Sequence, residues 1–352
     1  MKTTKVFLYI CWVFLMSTEV HAQDNLWQAP VITLNGKIPA PKTGEAKLND
    51  PKLRATIERN VNELFKSFHK ALETKTKPVF SDKVMDKTCQ EEVQKLWENS
   101  QISSPDLEVQ ANLVKIYNPN PKDKSGAVLE VRDIPILQER ATDQLQALNV
   151  DFNIRGTICG LSIGLDTKSF RNINDNPNLT ELDAVRMQII KSFLENFRTA
   201  YNRRDIDLLE KIYSDDALII TGRMVTRKTN GDKVELKKDV QYTRQTKSAY
   251  IRNLRNLFAK KDYINVDFKD VHIYQHPNPD IGSRGVYCVS LDQDWTSGNT
   301  KSKQAYQDQG HLFLVVNFED QERPLVQIRV WQPEESLKDH NKIDETNLNF
   351  KY

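Results

Sequence analysis

The chain has 352 residues, with 50 Lys+Arg against 48 Asp+Glu, 39% hydrophobic and 28% charged residues, and 14 Phe, 11 Tyr and 5 Trp. That length suits two ordinary domains, and the apolar content excludes wholesale disorder. A formal net charge of +2 supplies no global drive toward nucleic acid or membrane surfaces, so any charged binding site must be local.

Residues 1–22 read as a cleavable export signal: Lys2 and Lys5, then the apolar run Val6 to Met16, then Val20-His21-Ala22 before Gln23. The run is shorter than the roughly 20 residues a membrane span needs. Cys11 also lacks the small residue that precedes a lipidated cysteine. The expectation is a periplasmic or extracellular protein, with no nucleic-acid partner and no stable membrane insertion after cleavage. Cleavage leaves Cys89, Cys159 and Cys288, enough for at most one intramolecular disulfide, at spacings that match no metal-ligand pattern. They read as buried thiols, and neither a metal nor a cofactor is called for.

Residues 23–51 carry Pro30, Pro39, Pro41 and Pro51 among polar residues and read as an extended arm that adds little to the core. Residues 52–167 read as a first α+β domain. Ile57, Val61, Leu64, Phe65, Phe68, Ala71 and Leu72 mark one helix face, and Val84 to Trp97 a second helix. Period-two runs follow at Leu107 to Tyr117, Ala127 to Leu137, Leu148 to Phe152 and Thr157 to Leu165. The Asn- and Asp-rich stretch within 168–182 reads as a linker, and residues 183–335 repeat the helix-then-strand order. Met187, Ile190, Leu194, Phe197 and Tyr201 mark a long helix, Ile206 to Tyr213 a short one, and Tyr250, Leu254, Leu257 and Phe258 a third. Strands are expected at Leu218 to Ile220, Ile264 to Tyr274, Gly285 to Trp295, His311 to Phe318 and Leu325 to Trp331, and a polar, mobile tail at 336–352. Helices followed by a strand meander imply an α+β fold with helices on one face of an antiparallel sheet.

The stretch Phe193 to Asp205, followed by Leu208-Leu209, Tyr213 to Ala217 and the ending Ile328-Arg329-Val330-Trp331-Gln332-Pro333, resembles the nuclear transport factor 2-like superfamily, the SnoaL-like or cystatin-like cone fold. The resemblance covers roughly Asp183 to Glu335, and the whole layout resembles secreted two-domain proteins of Bacteroidetes of undefined function. It implies a curved sheet wrapped around helices and an apolar pocket, with the first domain open to being a divergent copy. It also implies a homodimer formed through the sheet as one option.

Enzymes of that superfamily place an acid or base inside the pocket. Laid on ketosteroid isomerase, this chain puts Phe197 at the hydrogen-bonding tyrosine, Thr221 at the general-base aspartate and Gly310 at the oxyanion-hole aspartate, none of which transfers a proton usefully. Asp292 and Asp294 share a strand face with Val286 and Cys288, opposite Tyr287, Val289, Leu291 and Trp295. They are acid/base candidates or a solvated strand end. His311 is a general base, a ligand hook or a satisfied edge histidine. The pocket candidates are Phe197, Tyr201, Tyr213, Tyr250, Trp295, His311, Arg329 and Trp331, with Arg329 and Trp331 in phase on one strand.

From Arg223 to Lys261 there are twelve basic and three acidic residues. Arg244, Lys247, Arg252 and Arg255 are therefore candidates for an anionic-ligand patch, or a solvated face. The reading of function is a non-catalytic binding or assembly protein for a small molecule or an envelope protein. The alternative is a small-molecule isomerase, dehydratase or hydrolase using Asp292, Asp294 or His311.

Overall fold

The computed structural model describes residues 28–35, 50–116, 118, 122–139, 145–165, 169, 181–228, 236–299, 304–338, 342–346 and 348. The export signal at 1–22 and most of the 168–182 linker lie outside them. Among the described residues, no helix is long and apolar enough to cross a membrane.

The first half opens with a strand, β1 (Val31–Asn35), inside the stretch expected to be an idle arm. It pairs in parallel with β3 (Glu108–Lys115), and its alternation buries Ile32 and Leu34 in the first core. Each such side chain contributes about 1.5–3 kcal/mol. The arm is therefore part of the fold. Helix α1 (Pro51–Thr74) starts where the Asp50 carboxylate accepts from Lys52 N at 2.9 Å and proline fills the first turn. Helix α2 (Lys87–Asn99) is capped the same way by Asp86 on Cys89 N at 2.8 Å. Strands β4 (Leu129–Gln138), β5 (Gln146–Phe152) and β6 (Ile158–Ile163) complete the sheet β1-β3-β4-β5-β6, with the short β2 (Ile102–Ser103) on β4. Helices α1 and α2 bury the expected apolar face against it.

The second half has helices α3 (Glu181–Asn202), α4 (Ile206–Ile212) and α5 (Lys247–Lys260). Its strands are β7 (Tyr213–Lys228), β8 (Leu236–Gln245), β9 (Tyr263–Gln275), β10 (Val286–Asn299), β11 (Gln304–Asn317) and β12 (Leu325–Pro333), ordered β8-β7-β12-β11-β10-β9. The fold is α+β as read, with one correction: β12 pairs with β7 in parallel. In chain order β5 and β6 end the first half as β11 and β12 end the second, and among the described residues the first sheet has no counterpart of the β7–β8 hairpin.

Helix α3 lies between the halves. Its apolar stripe of Ile190, Leu194, Phe197 and Tyr201 enters the second core. Its polar side, which would be solvated on a surface helix, is buried against the first half. Arg132 of β4 grips Glu195 through both guanidinium nitrogens, at 2.6 and 3.2 Å. Arg198 donates to Gly164 O and Val266 O at 2.8 and 2.9 Å and pairs with Asp267 at 2.9 Å. At the end of α2, Asn99 bonds Ile264 N and O at 2.9 and 2.8 Å, tying the halves a second time.

The tail is not idle either. Ile343 and Leu348 pack on an apolar cluster on the outer sheet face that contains Cys288, Phe313, Val315 and Val330. Ile343 N donates to Gln332 Oε1 at 2.9 Å, and Tyr274 donates its hydroxyl proton to Glu345. This covers part of the face through which a homodimer was envisaged. Removing residues 339–352 should therefore turn the Cys288 thiol, pushed up to about 12 chiefly by burial and also by Glu345 and Asp344, into one that reacts with Ellman's reagent. An unchanged thiol reaction rate would show that the tail does not shield this face.

Candidate functional site

Helix α5 and the inner face of the second sheet flank an open-mouthed cavity of about 440 Å3. Strand alternation builds it. Gln293, Trp295 and Ser297 point inward from β10, Arg329 and Trp331 from β12, and Thr221 from β7, while Ile328 and Val330 point to the outer face. Tyr250, Leu254, Leu257 and Lys261 close it from the helix side, and Tyr306 and Asp308 stand at the exposed rim. Gly310 has no room for a side chain, because a Cβ there would meet Trp331 Cη2 at 2.9 Å and Gln332 O at 2.2 Å. An acid at that position is sterically excluded.

The cavity holds one deeply buried cation. Arg329 is 5% exposed, and its Cζ lies 5.3 Å from the Tyr250 ring centroid. Burial works against its charge, the oxygens of Tyr250, Tyr201 and Tyr213 favour it, and it stays protonated. Tyr201 hydrogen-bonds Tyr250 at 2.8 Å and Tyr213 at 3.2 Å. Burial raises the Tyr201 and Tyr213 hydroxyls, which therefore stay neutral. Among the described residues no carboxylate pairs with Arg329, and its Nε and the Oγ of Ser297 are buried without a hydrogen-bond partner.

Of the eight pocket candidates, Tyr250, Trp295, Arg329 and Trp331 line this cavity. Phe197, Tyr201 and Tyr213 are corrected to core, each 1% exposed or less, although the two tyrosines support the hydroxyl network behind Arg329. His311 is corrected to the opposite sheet face, with Phe313 and Val315. It is 1% exposed, its Nδ1 is 3.5 Å from Asp292, and burial lowers its pKa, so it is a neutral packed histidine. Asp292 and Asp294 are on that outer face too, 3.2 Å from Lys342 and 2.7 Å from Lys269. They serve ion pairs and do not line this cavity. Of the expected basic patch, Lys247 pairs with Asp215 at 2.7 Å and Arg255 with Glu210 at 3.6 Å, while Arg244 and Arg252 are exposed on β8 and α5. None of the four lines the cavity.

Sequence reading missed Gln293 and Ser297, which the period-two phase of Trp295 marks, and Tyr306 and Asp308, which precede the strand as read from His311. Burial raises the Asp308 carboxyl, which accepts from the Tyr306 hydroxyl at 3.1 Å.

A larger cleft of about 740 Å3 lies between the halves, lined by Glu92, Asp151, Cys159, Phe193, Arg203 and Arg323 among others. A neighbouring space of about 370 Å3 adds Glu130 and Glu195 and shares Asp151. In the larger cleft Arg203 pairs with Glu92 at 2.6 Å. Cys89, Cys159 and Cys288 are all free thiols. Among the described residues no group of His, Cys, Asp and Glu is arranged to hold a metal ion.

No family profile matches the chain. No curated protein matches it by sequence. Solved structures do match. One, provisionally called a scytalone dehydratase, from Novosphingobium aromaticivorans, is 12% identical, covering 44% of this chain and 88% of that one, with a TM-score of 0.33. Another, provisionally called a dehydratase of the nuclear transport factor 2-like family, from Streptomyces avermitilis, is 13% identical over 41% and 94%, with a TM-score of 0.28. The beta subunit of a Burkholderia mallei benzoate 1,2-dioxygenase is 11% identical over 46% and 95%, with a TM-score of 0.30.

Proposed function

We propose that this protein is an exported binding protein whose second half holds a small molecule without transforming it. The observation that carries the reading is the cavity bounded by Tyr250, Trp295 and Trp331, with unsatisfied polar atoms inside it and no acid or base at the positions where the isomerase chemistry would need them. Thr221 and Gly310 occupy two of those positions, and Phe197 the third, in the core. Export rests on residues 1–22. An isomerase, dehydratase or hydrolase using Asp292, Asp294 or His311 is disfavoured, because all three stand on the far side of the sheet.

Native mass spectrometry of the protein purified from its own cell envelope should show a bound small molecule at one per chain. Replacing Trp331 with Ala should remove it, while Asp292→Asn and Asp294→Asn should retain it. A protein that arrives empty, or that keeps its ligand without Trp331, would sink the reading.

A further inference from the structure

Strand register places the two unsatisfied polar groups of the cavity toward opposite ends of its sheet wall. Along β11 the partner of Arg329 is Leu314, that of Trp331 is Leu312, that of Trp295 is Asp308, and that of Ser297 is Tyr306. The order down the inner face is therefore buried cation, two indoles, hydroxyl. A buried cation without a carboxylate is costly to leave so, and a buried hydroxyl without a partner adds to that cost. Tyr201 and Tyr213 share hydrogen bonds near Arg329, but burial keeps both hydroxyls neutral, and they bring no negative charge. The charge that would complete Arg329 is missing from the described residues, and an anion that enters the cavity would supply it.

Resting on the binding reading above, we infer that the ligand is an elongated apolar acid, a monoanionic carboxylate whose anionic end meets Arg329 and whose far end carries a polar group within reach of Ser297. A planar guanidinium matches a carboxylate by charge and by its fork of donors. The indoles of Trp295 and Trp331 and the Tyr250 ring supply an apolar, aromatic middle. A dianion fits less well, since only one cation is buried here and the rim holds one charge of each sign, Lys261 and Asp308.

The test compares 12-hydroxydodecanoate with its neutral amide, 12-hydroxydodecanamide, by isothermal titration of the full chain. The acid should bind at least tenfold more tightly than the amide. Arg329→Gln should bring the two within about twofold, and Ser297→Ala should weaken both by a similar factor of about three or more. Circular dichroism shows whether the Arg329 variant folds, and the wild-type acid-to-amide ratio decides the point even if it does not. Acid and amide binding equally to the wild type would overturn the anion assignment and leave the binding reading standing. If neither probe binds, the molecule retained in native mass spectrometry decides: an apolar carboxylate upholds the inference, a neutral molecule overturns it, and no molecule at all overturns the binding reading with it.

Discussion

Replacing Arg132 with methionine should destabilise the chain by about 3–5 kcal/mol at pH 7.5 in urea-induced unfolding. Arg132 stands between Glu130 and Glu195, 2.6 Å from each. All three side chains are at least nine-tenths buried. Methionine keeps much of the volume, so the loss comes from carboxylates left without a counter-charge and not from a large void. Glu195 sits on α3 and Arg132 on β4, and Glu195 also accepts from Leu165 N at 3.0 Å. The same substitution should therefore weaken the seam between the halves and split the unfolding curve or broaden it. Glu195→Gln in the Arg132→Met background should recover part of the loss, because the two residues act as a pair. A cost under about 1 kcal/mol would mean that the cluster is hydrated, as surface pairs are.

That cluster also marks where the sequence stops being readable. The apolar stripe of α3 was legible, since Ile190, Leu194, Phe197 and Tyr201 recur at helical spacing whatever they pack against. The other side of the same helix reads as a solvated face, because Lys191, Glu195, Arg198 and Arg203 are the residue types normally left in water. Only a partner surface with matching groups, Arg132 and Gly164 and Glu92, makes their burial tolerable, and those lie scores of residues away. The same limit explains β8. As an edge strand carrying Lys237, Lys238 and Arg244 it shows no apolar alternation, and its pairing with β7 is visible only in three dimensions. The phase of Arg329 with Trp331, and of His311 with Phe313, was legible from period two. Which face of the sheet the helices cover was not, and that choice put Arg329 in the cavity and His311 outside it. Ile343 and Leu348, isolated among polar residues, carried no signal of the sheet face they cover.

Asp151→Asn should leave stability unchanged near pH 3.5 and raise it by about 2–3 kcal/mol above pH 6. Burial, reinforced by the Glu195 charge and only partly opposed by Arg132, raises the Asp151 carboxyl from 3.8 to about 6. A carboxyl raised in the folded state holds its proton more tightly there than in the unfolded chain. Its contribution is therefore fully present below about pH 4 and is lost as the pH climbs through about 6. Asparagine has no proton to lose, so the variant escapes that loss. Glu130 is raised in the same direction, first by burial and in part by the Asp151 charge, so the variant also relieves its neighbour while keeping some slope of its own. Urea unfolding of both proteins at pH 3.5, 5, 6, 7 and 8 tests this. The two curves should coincide at the acid end and separate above it, with the wild type the less stable. Parallel curves across that range would mean that Asp151 is hydrated through the cleft it lines.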